Sequence, residues 1–176
     1  MTGEPERTVW KDGCFQADPW LEVADGAAPP EAGRPALVPL PRFLAGPEAW
    51  RGRPGPLGLR VAPGEDVRPL ARHLAGIALV AIAFPTFSDG RGYSAARLLR
   101  ERLGFTGEIR AVGEVLLDQI ELMRRCGFDS FSVGHEPTRR ALAAGRSGAM
   151  RHHYQPVGTV PELPAGTRPW ARLSPA

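Results

Sequence analysis

The stretch Ile77-Ala78-Leu79-Val80-Ala81-Ile82-Ala83-Phe84 is apolar throughout and is followed by Pro85-Thr86-Phe87-Ser88-Asp89-Gly90-Arg91-Gly92-Tyr93-Ser94. An apolar run without alternation reads as a strand covered on both faces, the habit of parallel sheets. Upstream, Leu57 to Val61 is a strand candidate. Asp66 then caps a helix with Val67, Leu70, Ala71 and Leu74 at helical spacing, Pro69 in its first turn and Gly76 at its end. Downstream, Ser94 caps a helix that carries Ala95, Leu98 and Leu99 inward and stops at Leu103-Gly104-Phe105. Glu108 to Val112 is the next strand. Val115 to Cys126 is a helix ending at Gly127-Phe128, Ser130 to Val133 a strand, and Pro137 to Ala144 a last helix. Helix, glycine and strand recur in that order, which predicts crossovers and an α/β fold with a parallel sheet. An open sheet with flanking helices is the expected architecture; a partial (β/α) barrel has the same local grammar.

Outside this segment proline dominates. Residues 28 to 64 hold nine prolines, residues 65 to 136 two, and residues 137 to 176 six. Proline removes a backbone donor and fixes φ, so the densest core is expected over 57–145. Thr8-Val9-Trp10, the turn Lys11-Asp12-Gly13 and Cys14-Phe15-Gln16 predict a small N-terminal β element, which with the proline-rich segment fills 8–56. Residues 1–145 read as a single domain and 146–176 as an irregular tail.

Composition narrows the function classes. The 176 residues are 43% hydrophobic, which argues against a wholly disordered chain. Lysine and arginine total 22 against 19 acids, a net charge of +3. That near balance gives no footprint for nucleic acid. Cys14 and Cys126 form no disulfide framework, and no apolar segment here is long enough to span a bilayer or act as a signal peptide. The expectation is a soluble cytoplasmic domain without a membrane or nucleic-acid partner.

In a parallel sheet the loops leaving the strand C-termini gather on one edge. The loop from Pro85 to Ser94, the pair Gly113-Glu114, and Gly134-His135 fall there. The loop is long for such a connection, and its content suits an anion. Gly90 and Gly92 permit close backbone approach, Arg91 offers a planar fork, and Ser88, Asp89, Tyr93 and Ser94 supply polar groups. The bland account pairs Asp89 with Arg91 or Arg97. Gly90-Arg91-Gly92-Tyr93-Ser94-Ala95 also fits a dinucleotide fingerprint with Glu114 as the ribose carboxylate, which would imply NADPH. However, five residues separate the strand from its first glycine, where a tight turn is expected. Asp118 lies near the same edge in a first helical turn, and His135 is the histidine at a strand end, a candidate acid–base. Cys126 sits at a helix C-terminus on the opposite edge and reads as an inert thiol. No spacing of cysteine, histidine and acid makes a metal site.

The run Phe84 to Ser94, continued by Leu98-Leu99-Arg100-Glu101-Arg102, resembles a bacterial family of unknown function. Further matches are Gly107 to Gly113, Asp118-Gln119, Arg124-Arg125-Cys126-Gly127-Phe128-Asp129, and downstream Tyr154-Gln155. The likeness is dense over 84–131 and looser from Val9 to Leu74. The family is commonly labelled an oxidoreductase of sulfite reduction, its genes lying beside assimilatory sulfite reductase. The resemblance implies a role at the step from sulfite to sulfide. That reduction needs siroheme and an iron–sulfur cluster, and this chain lacks the cysteines to hold a cluster. The expectation is therefore an accessory protein of sulfite reductase, with the edge from Ser88 to Ser94 binding a small oxyanion, a phosphate-bearing ligand or the reductase. A nicotinamide-dependent electron donor and a pure interaction module are the alternatives.

Overall fold

Alternation along the strands sorts their side chains between two unlike faces. Leu57, Leu59 and Val61, then Val80, Ile82 and Phe84, then Ile109 and Ala111, then Phe131 and Val133, all enter the main core. The intervening positions are small, polar or charged: Gly58, Arg60, Ala81, Ala83, Arg110, Ser130 and Ser132. On that second face Leu37, Leu79 and Ala81 form a minor apolar cluster with Trp20 and Val112. Within the apolar run, Leu79 to Ile82 are buried on both sides, against partners of different size, while Ala78 is exposed and Ala83 half-buried.

The computed structural model describes residues 7–146 and 148, and the backbone of 152–153 and 172–173. Its strands are β1 (Thr8–Lys11), β2 (Cys14–Ala17), β3 (Leu21–Glu22), β4 (Ala36–Pro39), β5 (Leu57–Val61), β6 (Leu79–Phe84), β7 (Glu108–Gly113) and β8 (Ser130–Val133). Four helices accompany them: α1 (Leu40–Ala45), α2 (Arg91–Arg97), α3 (Leu117–Arg125) and α4 (Glu136–Ala143). A single wide turn over Leu98–Arg102 prolongs α2. The sheet order is β2-β1-β8-β7-β6-β5-β4-β3. From β3 to β8 each strand lies parallel to its neighbour, with Phe84 opposite Gly113 and Gly113 opposite Val133. The hairpin β1–β2 joins antiparallel, Trp10 facing Phe131.

This order decides the architecture. Strands added in sequence order always step the same way, so right-handed crossovers all return over the same face. A doubly wound sheet reverses its order midway and is covered on both faces. Here one face carries the helices and the other is left as the inside of a curl, a half-barrel in place of the open sheet expected first.

Local departures have local causes. The segment 66–76 forms two short tight turns, Arg68–Arg72 and Leu74–Gly76, instead of one helix. Asp66 Oδ1 accepts the N–H of Arg68 at 3.0 Å, as an N-cap does, but the backbone bonds that follow close three residues back, Leu70 to Val67 at 3.0 Å and His73 to Leu70 at 2.7 Å, which is the tighter 3₁₀ winding. Val67 and Leu70 are buried nonetheless. Helix α2 begins at Arg91, before Ser94, because Asp89 Oδ1 accepts the N–H of Arg91 at 3.1 Å. The expected irregular tail falls largely outside the described residues; within it, His152–His153 pairs antiparallel with Arg172–Leu173.

Candidate functional site

The loop from Pro85 to Gly90 is held in place by polar contacts at its middle. Phe87 donates its N–H to Glu114 Oε2 at 3.1 Å, and Gln119 Nε2 donates to the Phe87 carbonyl at 2.6 Å. Gly113 has φ of +101°, and the turn there brings the N–H of Glu114 to within 2.8 Å of the Phe84 carbonyl. With its backbone clamped on both sides, Phe87 leaves its ring 58% exposed. Thr86 and Ser88 bond each other through their hydroxyls at 3.3 Å.

Arg91 is occupied at close range. Its Nε and Nη2 donate to the two carboxylate oxygens of Asp89 at 2.9 and 2.7 Å. Those hydrogen bonds hold the Asp89 carboxyl down at about 2. Gly92 faces inward: a Cβ there would stand 2.5 Å from Phe84 Cζ, so its missing side chain serves helix-on-strand packing. Tyr93 lies edge-on to the Phe84 ring at 5.4 Å, and burial raises its phenol pKa. Gly90 has an ordinary negative φ and open space around its Cα. The glycine pair therefore builds no phosphate turn of the dinucleotide kind, and the helix starts between its two members.

The predicted residues share one edge but not one cavity. Arg91, Gly92 and Ser94 line a cleft of about 270 Å³ between α2 and the segment 61–68. Gly113 lines a larger groove on the inside of the curl. Glu114 is used in bracing Phe87. Asp118 is exposed in the first turn of α3. His135 precedes α4, its Nδ1 hydrogen-bonded to Thr138 Oγ1 at 2.8 Å. Cys126 ends α3 on the far edge; burial raises its thiol pKa, outweighing Arg97 and Arg125 nearby.

The inner groove measures about 830 Å³ and opens along the C-terminal halves of β5 to β8. In α/β folds this is where ligands bind. Arg7, Arg60, Arg110 and Arg139 line it together with Asp18, Glu22 and Glu136. Most of these charges are committed. Arg110, on β7, is 3% exposed; it donates to Asp18 Oδ1 at 2.7 Å and to Glu108 Oε1 at 2.7 and 3.0 Å. Glu108 also accepts from Lys11 at 2.8 Å and from Ser130 at 2.6 Å. Burial raises the Glu108 pKa, but the hydrogen bonds from Lys11 and Ser130 and the charge of Arg110 outweigh it, and the net direction is down. Arg139 donates to the Val133 carbonyl at 3.1 Å and to Thr8 Oγ1 at 3.0 Å while covering the Phe15 ring at 4.3 Å. Arg7 stands 4.0 Å from Glu22.

Arg60 is different. It is exposed on the groove wall from β5, and no hydrogen bond or ion pair reaches its guanidinium among the described residues. Sequence reading passed over it. The available signal was a lone charge in Leu57-Gly58-Leu59-Arg60-Val61, which alternation places opposite the core face.

A family model described as "Bacterial protein of unknown function (DUF934)" matches residues 58–163, more than half of the chain. The chain belongs to this family. The DUF934 segment supplies Arg60, Arg110 and Arg139 to the groove, whereas Arg7, Asp18 and Trp20 precede it. No curated protein and no solved structure matches the chain. Among the described residues no group of three histidine, cysteine or acidic side chains is placed to hold a metal ion, and no helix is long and apolar enough to cross a membrane.

Proposed function

We propose that this DUF934 protein is an accessory of assimilatory sulfite reduction that binds a small oxyanion or phosphate-bearing ligand in the half-barrel groove. The supporting observation is Arg60, a guanidinium without a partner among the described residues, set beside the strand C-termini. A fork of that kind matches sulfite, sulfate or phosphate oxygens in paired hydrogen bonds. Arg139 and Arg110, on the same groove, are fixed by protein contacts, so its wall has little left to organise on binding. The role in sulfite reduction rests on the sequence resemblance described above; the exposed Phe87 ring on the same edge offers the reductase a contact.

Calorimetric titration with sulfite, sulfate and inorganic phosphate tests the ligand. Arg60→Ala should weaken binding about 10- to 100-fold with an unchanged unfolding midpoint. Equal affinity in the variant removes the groove reading. A parallel titration with NADPH distinguishes the electron-donor alternative, which requires saturable binding. Deleting the gene tests the pathway: normal growth on sulfate as sole sulfur source would refute it.

A further inference from the structure

At the opposite end of the strands, where Leu57 opens β5 and Ile77 leads into β6, lies a third cavity, of about 260 Å³. It is separate from the groove and shares no lining residue with it. Phe43 and Trp50, both buried, give it an apolar floor, and Arg51, Arg53, Arg72 and His73 stand around it. No carboxylate lines it.

The cations there are incompletely matched. Arg51 Nη1 meets Glu48 at 2.6 Å, and its Nη2 lies 2.7 Å from His73 Nδ1. A guanidinium only donates, so Nδ1 accepts and the imidazole keeps its proton on Nε2. Arg53 spends Nη2 on the carbonyls of Pro30, Glu31 and Arg34, at 3.3, 3.2 and 2.6 Å. Its Nη1 is shut off from solvent and has no acceptor among the described residues. A buried N–H left unmet costs about 1–3 kcal/mol, and more on a charged group. Arg72 is exposed and has no hydrogen bond or ion pair among the described residues.

The geometry points to a second binding site, for a small organic anion that carries a carboxylate or phosphate on a short apolar or aromatic body. Arg72 takes the anionic group, with the charge of Arg53 on the same cavity wall. The floor of Phe43 and Trp50 takes the apolar part. The volume admits a compact ligand and is too small for a dinucleotide.

Phenyl phosphate is the probe, followed through the tryptophan indole N–H signals in proton–nitrogen NMR of the full chain, with Trp50→Phe assigning the Trp50 signal. Trp50 reports this cavity and Trp20 reports the half-barrel groove, so the two sites are read separately. Saturable movement of the Trp50 signal is expected, with phenol producing none. Arg72→Ala, an exposed position whose loss leaves the fold intact, should weaken the response about tenfold. Arg53→Ala should weaken it further. A Trp50 signal that stays still, moves equally with phenol, or responds equally in Arg72→Ala overturns the site.

Discussion

Arg110 on β7 and Asp18 in the N-terminal segment are joined by a 2.7 Å ion pair across 92 positions of sequence. Both side chains are nearly closed to water, at 4% and 13% exposure. The pair ties the chain before β3 to the middle of the parallel sheet and forms the floor of the groove. Removing one partner of a buried pair leaves the other charged and unmet. Arg110→Ala leaves Asp18 without its ion-pair partner and Glu108 with Lys11 and Ser130 alone, and should cost roughly 3–5 kcal/mol in urea unfolding. A loss under about 1 kcal/mol would show that water reaches this network freely.

Acid should act through Glu108. Its folded carboxyl titrates below the ordinary value of 4.5, so its contribution to stability is complete above that value and is lost as pH falls through the lowered one. Glu108→Gln should be less stable at neutral pH and show a shallower fall between about pH 5 and pH 3. Urea midpoints measured across that range check it; parallel curves for the two proteins would contradict the assignment.

The glycines of the 85–94 loop separate packing from ligand approach. Gly92→Ala drives a methyl into the Phe84 ring and should destabilise by about 1–3 kcal/mol. Gly90→Ala meets open space and should stay within about 0.5 kcal/mol of the parent. Thermal unfolding of the two variants decides. Equal effects would mean that α2 does not press on β6.

Glu114 and Gln119 hold the backbone of Phe87 rather than a ligand. Glu114→Ala should speed hydrogen exchange at the Phe87 amide while leaving amides in β6 unchanged. Exchange at Phe87 that is already unprotected in the parent would show that the brace does not persist in solution.

Much of the fold was readable from the chain because its signals are local. The apolar run 77–84, the glycine stops at Gly104 and Gly127, and the alternation in Glu108 to Val112 and Ser130 to Val133 each depend on a few neighbours. The segment 66–76 was misread for an equally local reason. Asp66 and Pro69 suit the start of an α-helix, and they suit tight turns as well. The site was less legible. Pattern placed Arg91, Glu114 and His135 on one edge, and parallel pairing of β6, β7 and β8 does set those strand ends side by side. Which way the side chains turn is not a property of spacing. Arg91 closes on Asp89, Glu114 bonds Phe87, and the groove cation left unmatched among the described residues is Arg60, one strand away.

By itself the sequence determined the hairpin strands β1 and β2, the core strands β5 to β8, and the alternating grammar of a parallel α/β sheet. Tertiary structure alone decided that β3 to β8 line up in sequence order, with the β1–β2 hairpin beyond β8. That order puts every crossover on one face and curls the other into a groove. It depends on which strand each new one pairs with, and such long-range pairing leaves no periodic mark on the chain. The same holds for Arg60 and Arg72: a charge is written in the sequence, but whether anything stands opposite to neutralise it is known only once distant segments are brought together.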